Sequence, residues 1–337
     1  MRQASIHGAG DLRVDEVERP TAGPRDVVLK VAACGVCGSD LTYIKLGGAG
    51  KPDQAMPMPL GHEMAGVVAE VGGEVAGVRP GMRMILNPMS VPAVVGCGGP
   101  EGAFSDYVLV RGAELNRGLY EVPAGMPMHV AALTEPMGVA RHGVNRANPR
   151  PESKCVVFGV GPIGLGAVLW LKRRGVRSIV AVDTSRARLA AAKALGADEI
   201  LVAGQRDMLE ALVEIHGAGP PVMGPTADTD VYLDFAGAPQ VVADVINVAK
   251  RGAVFSMVAL HPQPETMNLH KLVVKEISLL GSCGYPNEYP EVIADLATLS
   301  EEQVAHLVSH RIPFDRFFEA IETARDRSSA KVVVEFA

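Results

Sequence analysis

The sequence predicts an α/β protein built around a doubly wound parallel sheet, and three observations carry that prediction. The stretch 154–183 reads strand, glycine turn, helix, strand, acid. Further apolar runs at 199–203, 230–235, 253–260 and 276–281 join 155–158 and 178–182 to make six strands, the number in a complete sheet of this type. The chain has 337 residues, 48% of them hydrophobic, which is enough for two domains and a sizeable core.

Residues 155–158 form a short uncharged apolar run of the sort buried in a parallel sheet, and they lead into Gly159-Val160-Gly161-Pro162-Ile163-Gly164. The first glycine permits a tight turn, the second lets backbone approach a pyrophosphate, and the third lets helix pack against strand. A helix is expected over 165–174, closed by Gly175, and its N-terminus offers free N–H groups and a positive dipole end. Asp183 ends the next strand, 19 residues after Gly164. A bare glycine pattern arises by chance in a chain with 37 glycines. Strand, helix and placed acid together outline a dinucleotide site of Rossmann type. No charge lies between Lys154 and Lys172, but those 17 residues are too few and too glycine-rich for a membrane span.

A net charge of −6 without a basic run gives no reason to expect nucleic acid as a partner. The first 20 residues carry charges throughout and no apolar h-region, so neither signal peptide nor membrane anchor is expected and the location reads as cytoplasmic. Five scattered cysteines argue against a disulfide framework and leave metal or thiol roles open.

An apolar strand over 26–33 delivers the chain to Cys34-Gly35-Val36-Cys37-Gly38-Ser39-Asp40. The C-x-x-C spacing suits a redox pair or half a zinc knuckle, but a knuckle needs a second pair and there is none. Cys34 reads as a small buried hydrophobe. His62 follows Cys37 by 25 residues, in Gly61-His62-Glu63 at the start of a strand over 65–71. Glu135 stands between an apolar run and a helix over 138–145. A histidine beside a glutamate is ordinary. With Cys37 added, a thiolate, an imidazole and one carboxylate satisfy zinc and leave its fourth position for water or substrate, as a catalytic site requires. Pro149 and Pro151 mark a boundary, giving domains at 1–147 and 148–282, with 283–337 returning to the first through a helix (317–326) and a strand (331–336). Residues 217–228 read as a surface loop.

On Cys37-Gly38-Ser39-Asp40, Gly61-His62-Glu63, Glu135-Pro136, Gly159 to Gly164 and Asp183, the chain resembles the zinc-dependent medium-chain alcohol dehydrogenases over nearly its whole length. It is similar in particular to the branch of sorbitol (polyol), threonine and butanediol dehydrogenases. The resemblance implies a GroES-like, β-rich catalytic domain and a Rossmann coenzyme domain. It implies NAD-dependent, reversible hydride transfer between a small secondary alcohol (polyol, diol or hydroxy amino acid) and its ketone. A homo-oligomer, dimer or tetramer, is expected. Cys37 and His62 are implied as zinc ligands, with Glu63 or Glu135 as the third. Ser39 is placed to take the hydroxyl proton, Tyr43 borders the substrate, and Asp40 orients His62. Phe235, Val258, Ala259 and Ser282, beyond the carboxyl ends of their strands, are expected near the nicotinamide.

Two departures bear on that reading. Where the family often carries a four-cysteine lobe for a structural zinc, residues 87–102 hold only Cys97, so a single metal is expected. Thr42 stands where many relatives have a proton-relaying histidine. Asp183 favours NAD, because its carboxylate accepts the ribose hydroxyls and repels a 2′-phosphate. Arg186 and Arg188 lie close by, and in relatives an arginine at the position of Arg188 accompanies NAD use. The competing readings are a zinc-free quinone or alkene reductase of the same fold, which has no use for Cys37, His62 and Glu135 together, and a non-catalytic nucleotide-binding protein.

Overall fold

The computed structural model describes residues 1–261 and 263–337, and the chain divides into two units. The first comprises Met1–Glu135, Tyr289–Ser300 and Val308–Ala337, and the second Pro136–Glu288 and Glu301–Leu307.

In the second unit, apolar runs without charge become the inner strands of one sheet, because only such runs can be covered on both faces. The spatial order is Glu199–Val202, Ser178–Asp183, Lys154–Phe158, Val231–Asp234, Val254–Met257 and Ser278–Gly281. Every neighbouring pair is parallel. This is the six-stranded doubly wound sheet that the sequence predicts, with the order reversing beside Lys154–Phe158. Helix Pro162–Arg173 follows the glycine turn with Pro162 in its first turn, a position where a missing N–H costs nothing.

Helix Thr134–Ala147 packs on Pro162–Arg173. A Cβ on Gly166 would lie 2.7 Å from Met137 Sδ and 2.9 Å from Ala140 Cβ, and Trp170 Nε1 donates to Met137 O at 3.0 Å. The unit boundary therefore falls at Glu135/Pro136, ahead of the 147/148 position that the prolines suggest. Helix Glu301–Leu307 likewise packs on Pro162–Arg173 and Arg186–Ala194 and interrupts the C-terminal return. The expected loop at 217–228 contains a short antiparallel hairpin, Ala218–Gly219 with Thr226–Ala227. Thr226 and Ala227 are buried under the flanking helices Met208–His216 and Pro239–Val248, so packing overrides the local turn chemistry. Among the described residues, no helix is long and apolar enough to cross a membrane.

The first unit is organised around strand Val27–Gly35, which pairs antiparallel with Glu63–Val71, Tyr107–Val110 and Lys331–Glu335. Arg83–Leu86 and Leu119–Glu121 extend the sheet on one side and Val308–Pro313 on the other. A second sheet joins Asp11–Glu16, Arg2–Gly8 and Met58–Pro59. Cys34 lies in the apolar core with Leu29, Val31, Met64 and Phe317. Antiparallel pairing has one consequence that matters for chemistry. The end of Val27–Gly35 meets the beginning of Glu63–Val71 and the middle of Lys331–Glu335, Gly35 pairing with Glu63 on one side and Val333 on the other.

Candidate functional site

Cys37 stands two residues past that strand end, at the N-cap of helix Gly38–Leu46. Glu63 opens the neighbouring strand, with His62 just before it. One ligand atom from each of Cys37, His62 and Glu63 lies within 4.8 Å of the others. Glu63 is fully buried, and a buried carboxylate needs a cation or donors to replace its lost hydration. Lys331, first residue of the last strand, supplies them. Its Nζ lies 2.7 Å from each carboxylate oxygen and 3.0 Å from Val36 O. Gly35 makes the room, since a Cβ there would sit 2.0 Å from Glu63 Oε2. Burial alone would lower the ammonium pKa, but the charges of Glu63 and then Cys37, with Glu135 further down, raise it. Glu135 is in the first turn of helix Thr134–Ala147 and nearly buried; its charge reaches Lys331, but it is not one of the three clustered donors.

The ring of His62 gathers the other predicted residues. Asp40 Oδ1 lies 3.5 Å from Nδ1, and Asp40 Oδ2 accepts the Cys37 N–H at 2.9 Å. Ser39 Oγ is 3.5 Å from Nε2. Burial alone would lower the imidazole pKa, but the charge and hydrogen bonding of Asp40, with smaller contributions from the nearby Cys37 and Cys97 thiols, hold it well above its ordinary value. Tyr43, half-buried on the same helix, has its phenol pushed up to about 12 by burial and by the charges of Cys97 and other neighbours. Thr42 Oγ1 donates to Gly38 O at 3.0 Å, so its hydroxyl is engaged with its own helix.

This donor set fits zinc. Sulfur, imidazole nitrogen and carboxylate oxygen are its usual ligands. Asp40 Oδ1 and His62 Nδ1 are both buried without a close hydrogen bond, and an imidazole holding metal on its other nitrogen would offer its Nδ1–H to that carboxylate.

In the second unit the glycine turn has the shape a pyrophosphate needs. Gly159 has φ +78°, and a Cβ there would lie 2.7 Å from Ala236 N. A Cβ on Gly164 would lie 1.9 Å from Gly159 O, whereas one on Gly161 would meet nothing closer than Arg188 Nη1 at 3.5 Å. Gly161, at the N-cap of the helix, is therefore uncrowded, and the N–H groups of Gly161 and Ile163, with none on Pro162, suit an anion at the helix N-terminus. Asp183 is nearly buried; Oδ2 accepts from Val160 N and Oδ1 from Ser185 N, both at 2.8 Å. Phe235, Val258 and Ser282 stand just past the carboxyl ends of three adjacent strands. Phe235 and Val258 both pack on Gly143, where a Cβ would come within 3.3 and 2.6 Å of them, and Ser282 N donates to Met257 O at 2.9 Å.

Two site residues escape the sequence reading. Lys331 is a cation directly before the apolar run Val332-Val333-Val334, a visible signal without a visible partner. Cys97, counted in the sequence only as the single cysteine of 87–102, lies near His62, its backbone bridged to Leu60.

Comparison with known proteins agrees with this geometry. Residues 23–123 match the family described as alcohol dehydrogenase GroES-like domain, and residues 162–298 match zinc-binding dehydrogenase. The chain is 31% identical to sorbitol dehydrogenase of Bos taurus over 346 residues, covering 98% of this chain and 94% of that one. Among solved structures it is similar to 2R,3R-butanediol dehydrogenase of Bacillus subtilis, at 28% identity and TM-score 0.87, with 99% of each chain covered. A short chain alcohol dehydrogenase of E. coli CFT073 complexed with NADH gives 26% identity and TM-score 0.85, covering 100% of this chain and 99% of that one. A candidate zinc-binding dehydrogenase of Sinorhizobium meliloti 1021 bound to NADP gives 25% and 0.85, covering 99% and 98%. With a thiol, an imidazole and a carboxylate clustered in one unit and a dinucleotide turn in the other, the chain belongs to the zinc-binding, nicotinamide-dependent alcohol dehydrogenases, in their polyol dehydrogenase branch.

Proposed function

We propose that this enzyme uses NAD to oxidise a polyol or vicinal diol at a secondary carbon, reversibly, with one zinc ion held by Cys37, His62 and Glu63. The observation that carries the assignment is the 4.8 Å cluster of those three donors, which favours Glu63 over Glu135 as the third ligand. Zinc there supplies a Lewis acid for the substrate hydroxyl, and the nicotinamide supplies the hydride acceptor. Ser39, beside His62 Nε2, takes the hydroxyl proton. Because Thr42 is engaged with its helix, that proton leaves from Ser39 to water. Asp40 fixes the ring of His62, Lys331 fixes Glu63, and Tyr43 borders the substrate as a neutral phenol.

The preference for NAD rests on Asp183. Each of its oxygens accepts one backbone N–H and keeps a lone pair for a ribose hydroxyl. A charge-assisted hydrogen bond is worth about 1.5–3 kcal/mol, roughly tenfold or more in affinity, before counting repulsion of a 2′-phosphate. Arg188, over the Gly161 turn, is positioned for the pyrophosphate. Assembly into a homo-oligomer in the cytoplasm is part of this reading; strand Ser278–Gly281 ends its sheet with Leu279 39% exposed, an edge suited to pairing with a second copy.

The test is kcat/KM for sorbitol, 2,3-butanediol and threonine with each cofactor, alongside zinc analysis and molar mass in solution. A zinc-free protein inactive on all three substrates, or a preference for NADP unchanged in Asp183→Ala, would overturn the corresponding part.

A further inference from the structure

Strand Val231–Asp234 ends on a carboxylate that ties together the turns beyond two strands. It stands between Lys154–Phe158 and Val254–Met257, and Asp234 is in register with the last residue of each. Asp234 is fully buried, and a buried carboxylate needs donors to replace its hydration. Oδ1 accepts from Ala236 N at 2.8 Å and from Gly237 N at 3.0 Å. Oδ2 is 2.9 Å from His261 Nε2, and the backbone oxygen accepts from Val258 N and Ala259 N at 2.9 and 3.0 Å. One residue thus joins the turn after its own strand to the segment after the next. The glycine turn packs on the same place, since a Cβ on Gly159 would lie 2.7 Å from Ala236 N.

The segment 258–261 gains little from apolar burial at its far end, where Leu260 is 83% exposed. Its place is set by the hydrogen bonds to Asp234 and by the close approach of Gly237, whose φ is +64° and where a Cβ would lie 3.0 Å from Leu260 O. His261 Nδ1 is enclosed without a hydrogen bond among the described residues, 3.5 Å from Glu265 Oε1, so the tie to Asp234 runs through Nε2. All of this lies beyond the carboxyl ends of strands where the sheet order reverses, the end at which such sheets bind their ligands. We propose that His261 is a positioning residue for the cofactor: by tying 258–261 to Asp234 it holds Val258 and Ala259 against the turn 235–237 as one wall for the nicotinamide half of NAD. This rests on the assignment of Phe235, Val258 and Ala259 to the nicotinamide. The adenosine half falls to Asp183, whose carboxylate is engaged with Val160 N and Ser185 N instead. Without the imidazole, Asp234 Oδ2 is left buried and short of its donor, and the segment loses its last anchor.

Binding measured apart from turnover tests this. The dissociation constants of NADH, followed by its fluorescence, and of ADP-ribose, which lacks the nicotinamide, followed by calorimetry, are compared in wild type, His261→Ala and His261→Gln. The expected result is NADH binding weakened roughly tenfold in His261→Ala with ADP-ribose changed less than about twofold, and most of the loss recovered in His261→Gln, whose amide can donate to Asp234 Oδ2. Equal weakening of both ligands would make His261 a support of the fold alone, and no weakening of either would leave it without a role; both overturn the proposal, as does a glutamine variant no better than alanine. Hydrogen exchange on wild type guards against a variant that fails to fold. The N–H groups of 258–261 should exchange more slowly with NADH bound and not with ADP-ribose bound, and equal slowing by the two counts against the wall. Wild type that binds neither NADH nor NADPH would instead overturn the cofactor reading on which the proposal stands. A preference for NADPH would overturn the role of Asp183 alone, and the same comparison made with NADPH then decides His261.

Discussion

Lys331 and Glu63 are separated by 268 residues in sequence and by 2.7 Å in space. Removing one partner of a buried ion pair leaves the other charge without hydration or counter-ion, at a cost of about 3–5 kcal/mol. Lys331→Met should therefore lower the unfolding free energy of metal-free protein by that amount in urea denaturation. Added zinc should recover part of the loss, because the metal is a second cation for Glu63. Asp40 acts on His62 beside it. Asp40→Asn keeps an oxygen that can accept the Cys37 N–H but loses the charge facing His62, and zinc affinity should fall roughly 10–100-fold in chelator competition. Unchanged retention would remove Asp40 from the site.

Two elements meet at a residue without a side chain. Gly35 ends one strand where Glu63 begins the next, and a methyl group there would have to displace Glu63 Oε2 from 2.0 Å. Gly35→Ala should weaken zinc retention and cost about 1–3 kcal/mol through overpacking, whereas Gly38→Ala, whose added carbon meets nothing within 4 Å, should do neither. Measuring both variants separates the steric effect from a general loss of backbone freedom. The glycine turn of the second unit follows the same logic. At Gly164 the obstruction is backbone, Gly159 O at 1.9 Å, so Gly164→Ala should raise the KM for NAD while leaving zinc content unchanged.

For the molecule as a whole, the response to acid has an identifiable source in His216. Its imidazole is nearly fully buried, Nδ1 meets Thr229 Oγ1 at 2.7 Å, and its pKa is lowered from 6.5 to about 4 by burial and by the Lys154 charge. A depressed histidine favours the native state fully above the unfolded value of 6.5, and that share is lost as pH falls toward about 4. The share is on the order of 3 kcal/mol. Stability measured by denaturant from pH 7 down to 4 should fall across that window, and His216→Asn should flatten the fall. An unchanged slope would place the acid sensitivity elsewhere.

The sequence by itself determined what is local. Glycines at 159, 161 and 164, apolar runs on either side and an acid at 183 act within about thirty residues, through backbone freedom and burial periodicity, so the six strands and the turn were readable in order. Cys37, His62 and Glu63 were readable as a donor set because zinc chemistry restricts residue type, although composition could not choose between Glu63 and Glu135. Tertiary structure decided the rest. Antiparallel pairing brings Lys331 and Gly35 to Glu63, and a bridge to Leu60 sets Cys97 beside the segment that carries His62. Packing on Gly166 moves the unit boundary ahead of the prolines, and helix packing tucks the 217–228 segment into a hairpin. Lys331 and Glu63 in particular lie far apart along the chain, and their attraction is set by burial and by charge in a desolvated interior. Neither exists until the sheet has formed.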